Sequence, residues 1–501
     1  MPLTDALHDL ELLIRARHGL IHIDSDEEDR IGVLLRHVAS RLDLLLFTWT
    51  RVEGLKRIMV RQDLLGAIYD TELPLKAFQH IAAADVPALY HFRDLRPHLE
   101  GDAVLSAQIK VAAERLVGHT GAIVVTGSGI EFPPELAPLV TRFSLPGPSE
   151  AEYRGLLERL VRDHSARMAV SVELTPDELT MLVRHLSGLT LMESEKILTK
   201  AIIEDGRLGA EDIQRVIEAK RAIVERDGLL EYYPVEDSLT GIADLRRLKA
   251  WLAERTAVVR DPARAAEFGL TFPKGVLLLG VPGCGKSLSA KAVAAEWQMP
   301  LLKLDPSNLY NKFIGESERN FKRAMDTAER MAPVVLWIDE LEKAFATGGS
   351  EDGGVSQRIL GTFLSWMQDR RGEVFVVATA NDVSRLPPEF LRKGRFDEIF
   401  FVDLPDAETR AEIFRIHLEH RNQDADLFDL EALAAATEGF SGSEIEEVVV
   451  SGLYGVFAHG GHLSTESLLE VARATHPLSV TMAERVEGLR AWARDRAVAA
   501  N

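Results

Sequence analysis

Gly280-Val281-Pro282-Gly283-Cys284-Gly285-Lys286-Ser287 is the stretch that decides how this chain folds. It fits the pattern G-x-x-x-x-G-K-[ST], and its flanks fit too. Ahead of it, Gly275-Val-Leu-Leu-Leu-Gly280 is a short apolar run that reads as a buried parallel strand. Behind it, Ser287-Leu288-Ser-Ala-Lys-Ala-Val-Ala-Ala-Glu-Trp297 is a run of good helix formers. A strand feeding a glycine-rich turn and a helix N-terminus aims several backbone N–H groups at one point. The helix dipole adds positive potential there, and the combination suits phosphate. Lys286 is placed to reach the β- and γ-phosphates, and the Ser287 hydroxyl to ligate Mg²⁺. The alternative is a glycine-rich turn with a stray lysine.

The rest of the composition sets bounds. At 501 residues the chain holds more than one domain, each with its own core. A net charge of −20 argues against a broad nucleic-acid footprint, which needs clustered Lys and Arg. No run approaches 18 apolar residues, so no membrane span is expected. The acidic N-terminal segment lacks the basic start of a signal peptide. Cys284 is the single cysteine, which excludes an intrachain disulfide and points to the cytosol. Its place beside a helix N-terminus tends to lower a thiol pKa, which would suit redox regulation. The plainer reading is a small side chain at a permissive loop position.

Downstream, strand and helix patterns alternate. Val334-Val-Leu-Trp-Ile-Asp339-Glu340 is an apolar run ending in two acids. In an open α/β sheet such strand ends face the ligand. Asp339 is then a metal ligand, and Glu340 the general base on an attacking water. Val374-Phe-Val-Val-Ala-Thr-Ala-Asn381 ends in a residue suited to orient that water. Arg392 and Arg395 follow, three apart, either as a solvated face or as charge stabilisers of a phosphoryl transition state.

These motifs together resemble the AAA clade of AAA+ ATPases over roughly residues 236–475. The resemblance implies a P-loop NTPase α/β domain with a parallel sheet and a C-terminal helical lid. It implies ATP and Mg²⁺ as cofactors, with ATP held by Gly280 through Leu288. Gly241 in Thr240-Gly241-Ile242, and Gly442 and Ser443 in Gly439-Phe-Ser-Gly-Ser-Glu444, would border the adenine. Ser441 and Glu444 also form a capping box, which is a sufficient structural reason for both. The family further implies a hexameric ring in which Arg392 and Arg395 reach the neighbour's ATP. In Lys312-Phe-Ile-Gly315-Glu-Ser-Glu318, Phe313 and Ile314 match the first pore loop, which grips a polypeptide. Packing against the following helix is the alternative for these two. The loop 346–354, rich in glycine, faces the pore or a neighbouring subunit in this layout.

The first half repeats the second with its chemistry removed. Ala122-Ile-Val-Val-Thr-Gly-Ser, Phe132-Pro-Pro-Glu-Leu136 and Thr141-Arg-Phe-Ser-Leu-Pro146 mirror Val374 to Pro405. Asp177 to Thr190 mirrors Asp429 to Gly442. Residues 1–150 therefore read as a degenerate AAA-like α/β domain, 151–205 as its lid and 206–235 as a helical connector. The large ATPase subdomain spans 236–409, and its lid and C-terminal helices 410–501. In the degenerate half, Gly19-Leu-Ile-His-Ile-Asp24 runs into Ser-Asp-Glu-Glu-Asp29, which repels phosphate. Pro87-Ala-Leu-Tyr-His-Phe92 ends in Arg93-Asp94, an arginine where a metal ligand belongs. One diverged module ahead of one active module, with His476-Pro-Leu-Ser-Val-Thr-Met482, resembles a lineage of AAA ATPases encoded by a hypothetical chloroplast reading frame in algae and found in bacteria.

The expected function is ATP-driven remodelling or threading of a protein partner by a homo-oligomer. The alternative is a slow nucleotide switch controlling what the first half binds. Nucleic-acid handling is disfavoured by the acidic balance.

Overall fold

The computed structural model describes residues 3–58, 66–84, 86–99, 101–118, 121–166, 168–233, 245–305, 316–345, 355–370 and 372–501. The chain divides into two compact units, Met1–Val216 and Ile217–Asn501.

The first unit is built on β1 (Leu20–Ile23), β2 (Leu45–Thr50), β3 (Gly54–Ile58), β4 (Ala88–Phe92), β5 (Ala122–Thr126) and β6 (Val140–Phe143). They pair in the order β3-β2-β4-β5-β1-β6, parallel throughout except for the β2–β3 hairpin. β1, β4 and β5 are buried along their whole length. A strand covered on both faces reads as an unbroken apolar run, as these do. Ile21, Leu89 and Val124 pack on helices Leu3–Arg15 and Glu28–Leu42. Leu20, Phe92 and Val125 pack on helices Pro74–Ala83 and Ala103–Gly118. Three lid helices follow, Glu150–Ser165, Pro176–Leu186 and Leu191–Asp205, each opened by a Ser or Thr capping box. A short parallel pair, β7 (Ser171–Val172) and β8 (Arg207–Leu208), staples the lid.

The second unit contains β9 (Leu230–Tyr233), β10 (Gly275–Gly280), β11 (Leu301–Leu304), β12 (Val334–Ile338), β13 (Val374–Ala380), β14 (Glu398–Val402) and β15 (Val498–Ala499). Their order is β9-β11-β12-β13-β10-β14-β15. From β11 to β14 the order repeats that of β2, β4, β5, β1 and β6 in the first unit. Each sheet carries an antiparallel edge strand, but by a different connection: β3 follows β2 in a hairpin, whereas β9 precedes β10 in the chain. The fold is thus two α/β modules that share one parallel core topology, each with its own edge strand and helical lid. In the second lid, helices Ala407–Glu419, Leu430–Ala436, Gly442–His459 and Thr465–Ala474 close on Phe414, Leu433, Ile445 and Leu468.

Two expected boundaries change. Residues 206–235 are more than a helical connector. Arg207–Leu208 belongs to the first lid, helix Ala210–Val224 follows, and Leu230–Tyr233 is the edge strand of the catalytic sheet. Nor is 410–501 all lid and helix, since Val498–Ala499 returns to pair with β14. Among the described residues, no helix is long and apolar enough to cross a membrane.

Candidate active site

β10 lies between β13 and β14 in the sheet and delivers the glycine-rich loop at its end. At Gly280 φ is +154°, and a Cβ there would lie 2.0 Å from the Val402 carbonyl oxygen. Only glycine lets β10 leave the sheet that close to β14. Gly283 and Gly285 take φ of +78° and +84°, turning the loop ahead of helix Lys286–Glu296. Lys286 is buried, and its Nζ donates to the carbonyls of Gly280 (3.0 Å) and Val281 (2.7 Å). Burial pushes its pKa down to about 8.

β12 and β13 bring the acids opposite this helix. Ser287 Oγ donates to Asp339 Oδ1 at 3.2 Å, and Thr379 Oγ1 donates to the same oxygen. Glu340 adopts a left-handed φ of 50°, with its N–H donating to Thr379 Oγ1 at 3.1 Å. A left-handed glutamate is uncommon and needs a reason. The turn aims its carboxylate toward Asn381, whose Nδ2 donates to it at 3.4 Å. The same carboxylate also meets Lys343 Nζ at 2.6 Å. Sequence reasoning missed Glu342. It is buried, accepts the Asn381 N–H at 2.9 Å, and burial pushes its carboxyl above the usual range.

One cavity of about 370 Å³ takes in the loop from Pro282 to Leu288, then Asp339, Glu340, Thr379 and Asn381. The same cavity is lined by Leu245, Val402, Ile413, Ile416 and His417, a largely apolar set that sequence reasoning also missed. Gly442 and Ser443 join the lining, and Ser443 donates through N–H (3.1 Å) and Oγ (3.3 Å) to the Gly283 carbonyl. The lid is thereby tied to the phosphate loop. Arg392 is exposed and Arg395 donates to the Leu364 carbonyl; neither lines the cavity. Gly241, Phe313, Ile314 and the loop 346–354 lie outside the described residues.

A lowered thiol pKa at Cys284 is not what the fold gives, and the plainer reading of a small loop side chain stands. Burial pushes its thiol up to about 12, against the pull of Lys286, so desolvation defeats the helix terminus. Iodoacetamide at pH 7.5 is expected to modify Cys284 at least about a hundredfold more slowly than an exposed thiol. The rate should still climb above pH 9, because the thiolate forms only as pH approaches the raised value. A rate that levels off near pH 8, read by mass spectrometry, would restore the reactive sulfur.

The first unit carries the same scaffold with other side chains. Phe92 pairs with Val125 as Ile338 pairs with Ala378, so Arg93 stands where Asp339 does and Thr126 where Thr379 does. Asp94 even repeats the left-handed turn of Glu340, with φ 55°. Arg93 reaches Glu28, first residue of the helix matching Lys286–Glu296, at 2.7 Å. Asp24 and Asp26 accept the N–H groups of Gly129 and Ser128. Glu27 accepts the N–H of Leu191 in the lid at 3.0 Å. Buried Arg30 ties Glu27, Glu152 and the carbonyls of Pro146 and Gly147 together. Carboxylates and arginines fill the place that glycines and a lysine leave open in the second unit.

Residues 276–404 match the model of the ATPase family associated with various cellular activities (AAA). Residues 6–145 and 151–227 match the N-terminal and second domains of SpoVK-like AAA ATPases. The chain is 35% identical to the AAA domain-containing protein ycf46 of Trieres chinensis over 97% of its own length and 96% of the relative's. It is 34% identical to the ycf46 protein of Guillardia theta over 97% and 94%, and 34% to that of Pyropia yezoensis over 97% and 97%. A phosphate loop facing two strand-end acids, on a sheet whose core order the first unit repeats, agrees with that full-length likeness: the chain belongs to the AAA ATPase family, in the two-module ycf46 group.

Proposed function

We propose that this chain hydrolyses ATP in the cytosol as a ring-forming remodeller of a protein partner. The observation that carries hydrolysis is the convergence of Lys286, Ser287, Asp339, Glu340 and Asn381 on one cavity. Their donors and acceptors fit the cofactor. The loop offers backbone N–H groups and a lysine to phosphate, and Ser287 with Asp339 offers the hard oxygens that Mg²⁺ takes. Bound there, Mg²⁺ would neutralise charge on the phosphates. Glu340 would take the proton of the attacking water, and Asn381 would fix the orientation of the carboxylate.

Ring assembly is supported by the arginines. Both stand outside their own cavity, and an arginine supplied by a neighbour stabilises a phosphoryl transition state strongly. Arg392→Ala should keep ATP binding and lower hydrolysis about 10³-fold. Sizing with ATP should show a hexamer, and a monomer with full activity would sink the assignment. Threading rests on the match of Phe313 to a pore loop, so Phe313→Ala should spare ATPase activity and abolish processing of partners trapped by the Glu340→Gln chain.

The 2.6 Å pair between Glu340 and Lys343 favours a second reading, a slow switch in which the base is held back until a partner releases it. Lys343→Ala would then speed hydrolysis at least tenfold, whereas under the first reading it changes little.

A further inference from the structure

β13 outlasts the strands beside it. Its ladder with β12 ends at Ala378, opposite Ile338, and its ladder with β10 ends at Ala380, opposite Leu279. Asn381 comes next, so its backbone N–H leaves the sheet beyond the last paired residue. Glu342 receives it, Oε1 accepting at 2.9 Å. A carboxyl is a costly acceptor in that place. Glu342 is only 4% exposed, and its other oxygen, Oε2, is buried with no hydrogen bond among the described residues. Burial holds the group above the usual carboxylate range, and the charges of Glu340 and Asp382 push the same way. A residue that breaks the burial rule beside a reaction centre points to function rather than to packing.

The bond grips the main chain of the residue that addresses the general base. Asn381 Nδ2 donates to Glu340 Oε1 at 3.4 Å, while the Glu340 N–H is fixed by Thr379 Oγ1 at 3.1 Å. We infer that Glu342 is a positioning residue for hydrolysis, anchoring the Asn381 main chain so that its amide stays aimed at Glu340. Glu342 does not line the cavity, so it acts through Asn381 rather than on the nucleotide. The inference rests on the reading of the cavity as a site of ATP hydrolysis. A catalytic group displaced by about 1 Å can slow a reaction about a hundredfold, which gives the anchor its weight.

The test is steady-state ATP hydrolysis by the full chain. Glu342→Met keeps the length and removes the acceptor. It should lower kcat about 10²-fold and leave the KM for ATP within about twofold. Glu342→Gln still offers an oxygen to the Asn381 N–H and should stay within about threefold of the unaltered chain. In an Asn381→Ala background, Glu342→Met should cost no more than about threefold further, because the anchor then has no amide to aim. Hydrogen exchange reads the bond without turnover: the Asn381 N–H should exchange faster in Glu342→Met and at its original rate in Glu342→Gln. If methionine unfolds the turn, Glu342→Asp, one methylene too short to reach Asn381, carries the same comparisons. Equal losses in the two backgrounds overturn the role while the ATP site stands. So does a loss in Glu342→Gln as deep as in Glu342→Met, or an Asn381 amide indifferent to both. An unaltered chain that hydrolyses no ATP overturns the reading of the site and the positioning role together.

Discussion

Glu340→Gln is expected to leave ATP affinity within about twofold and to lower hydrolysis on the order of 10²–10⁴-fold. The two effects separate because of where the residue sits. Binding draws on the loop and on Lys286, whereas Glu340 stands at the end of β12 with its N–H fixed by Thr379 and its carboxylate beside Asn381. Glutamine has the same shape and still accepts from Asn381, so the left-handed turn has no reason to relax. What it loses is basicity. Lys286→Ala should fail differently, losing binding itself, since the buried amine is the cation closest to the loop carbonyls of Gly280 and Val281. Asp339→Asn should weaken Mg²⁺-ATP more than free ATP, because the Asp339 carboxylate that meets Ser287 then lacks its charge. Single-turnover hydrolysis and titration with a labelled nucleotide read all three. Hydrolysis by Glu340→Gln within tenfold of the unaltered chain would mean that the water is activated by another group.

Local pattern made the phosphate end legible in the sequence. Strand, turn and helix each carry their own signal there, and glycine is forced where β10 crowds Val402. The duplicated core was legible for the same reason, through a Pro-Pro-Glu turn that recurs between matching strands, although the Arg-Phe pair ends β6 and precedes β14. The apolar part of the lining was not. Ile413, Ile416 and His417 sit on a helix whose apolar spacing serves lid packing as well as a pocket, so periodicity cannot tell the two uses apart. β15 is two residues long and has no period at all, and its placement beside β14 depends on pairing with Phe400 and Phe401, far away in sequence. Cys284 failed for a different reason. The helix-terminus argument was sound in sign, but it competes with desolvation, and burial is a property of the fold. In the first unit the acidic run 24–29 read as a surface that repels phosphate. The run's next residue, Arg30, is buried and holds Glu27, Arg93 pairs with Glu28, and backbone N–H groups meet Asp24 and Asp26.

Arg30→Met is expected to destabilise the first unit by about 3 kcal/mol, lowering its unfolding midpoint by roughly 6–12 °C. The guanidinium is buried, bonded at 3.0 Å to Glu152 and 3.1 Å to Glu27, and joined to the carbonyls of Pro146 and Gly147. Glu152 caps the first lid helix and Glu27 follows β1, so this one side chain holds lid to sheet. Burial works against the charge of Glu152, but Ser149 and Arg30 outweigh it and hold the carboxyl below its usual range. Methionine fills the space and leaves two carboxylates and two carbonyls without their donor, which is the costly way to break a buried pair. Arg159→Met makes the control. Its partner Glu195 and Arg159 itself are about half exposed, so that loss should stay under about 1 kcal/mol. Calorimetry reads the midpoints, and hydrogen exchange supplies a local signal. The Leu191 N–H, held by Glu27 at 3.0 Å, should exchange faster in Arg30→Met and at its original rate in Arg159→Met. If neither the midpoint nor that amide moves, the lid is closed by its apolar contacts alone. If both move, the first module has replaced a nucleotide with its own side chains as the tie between lid and sheet.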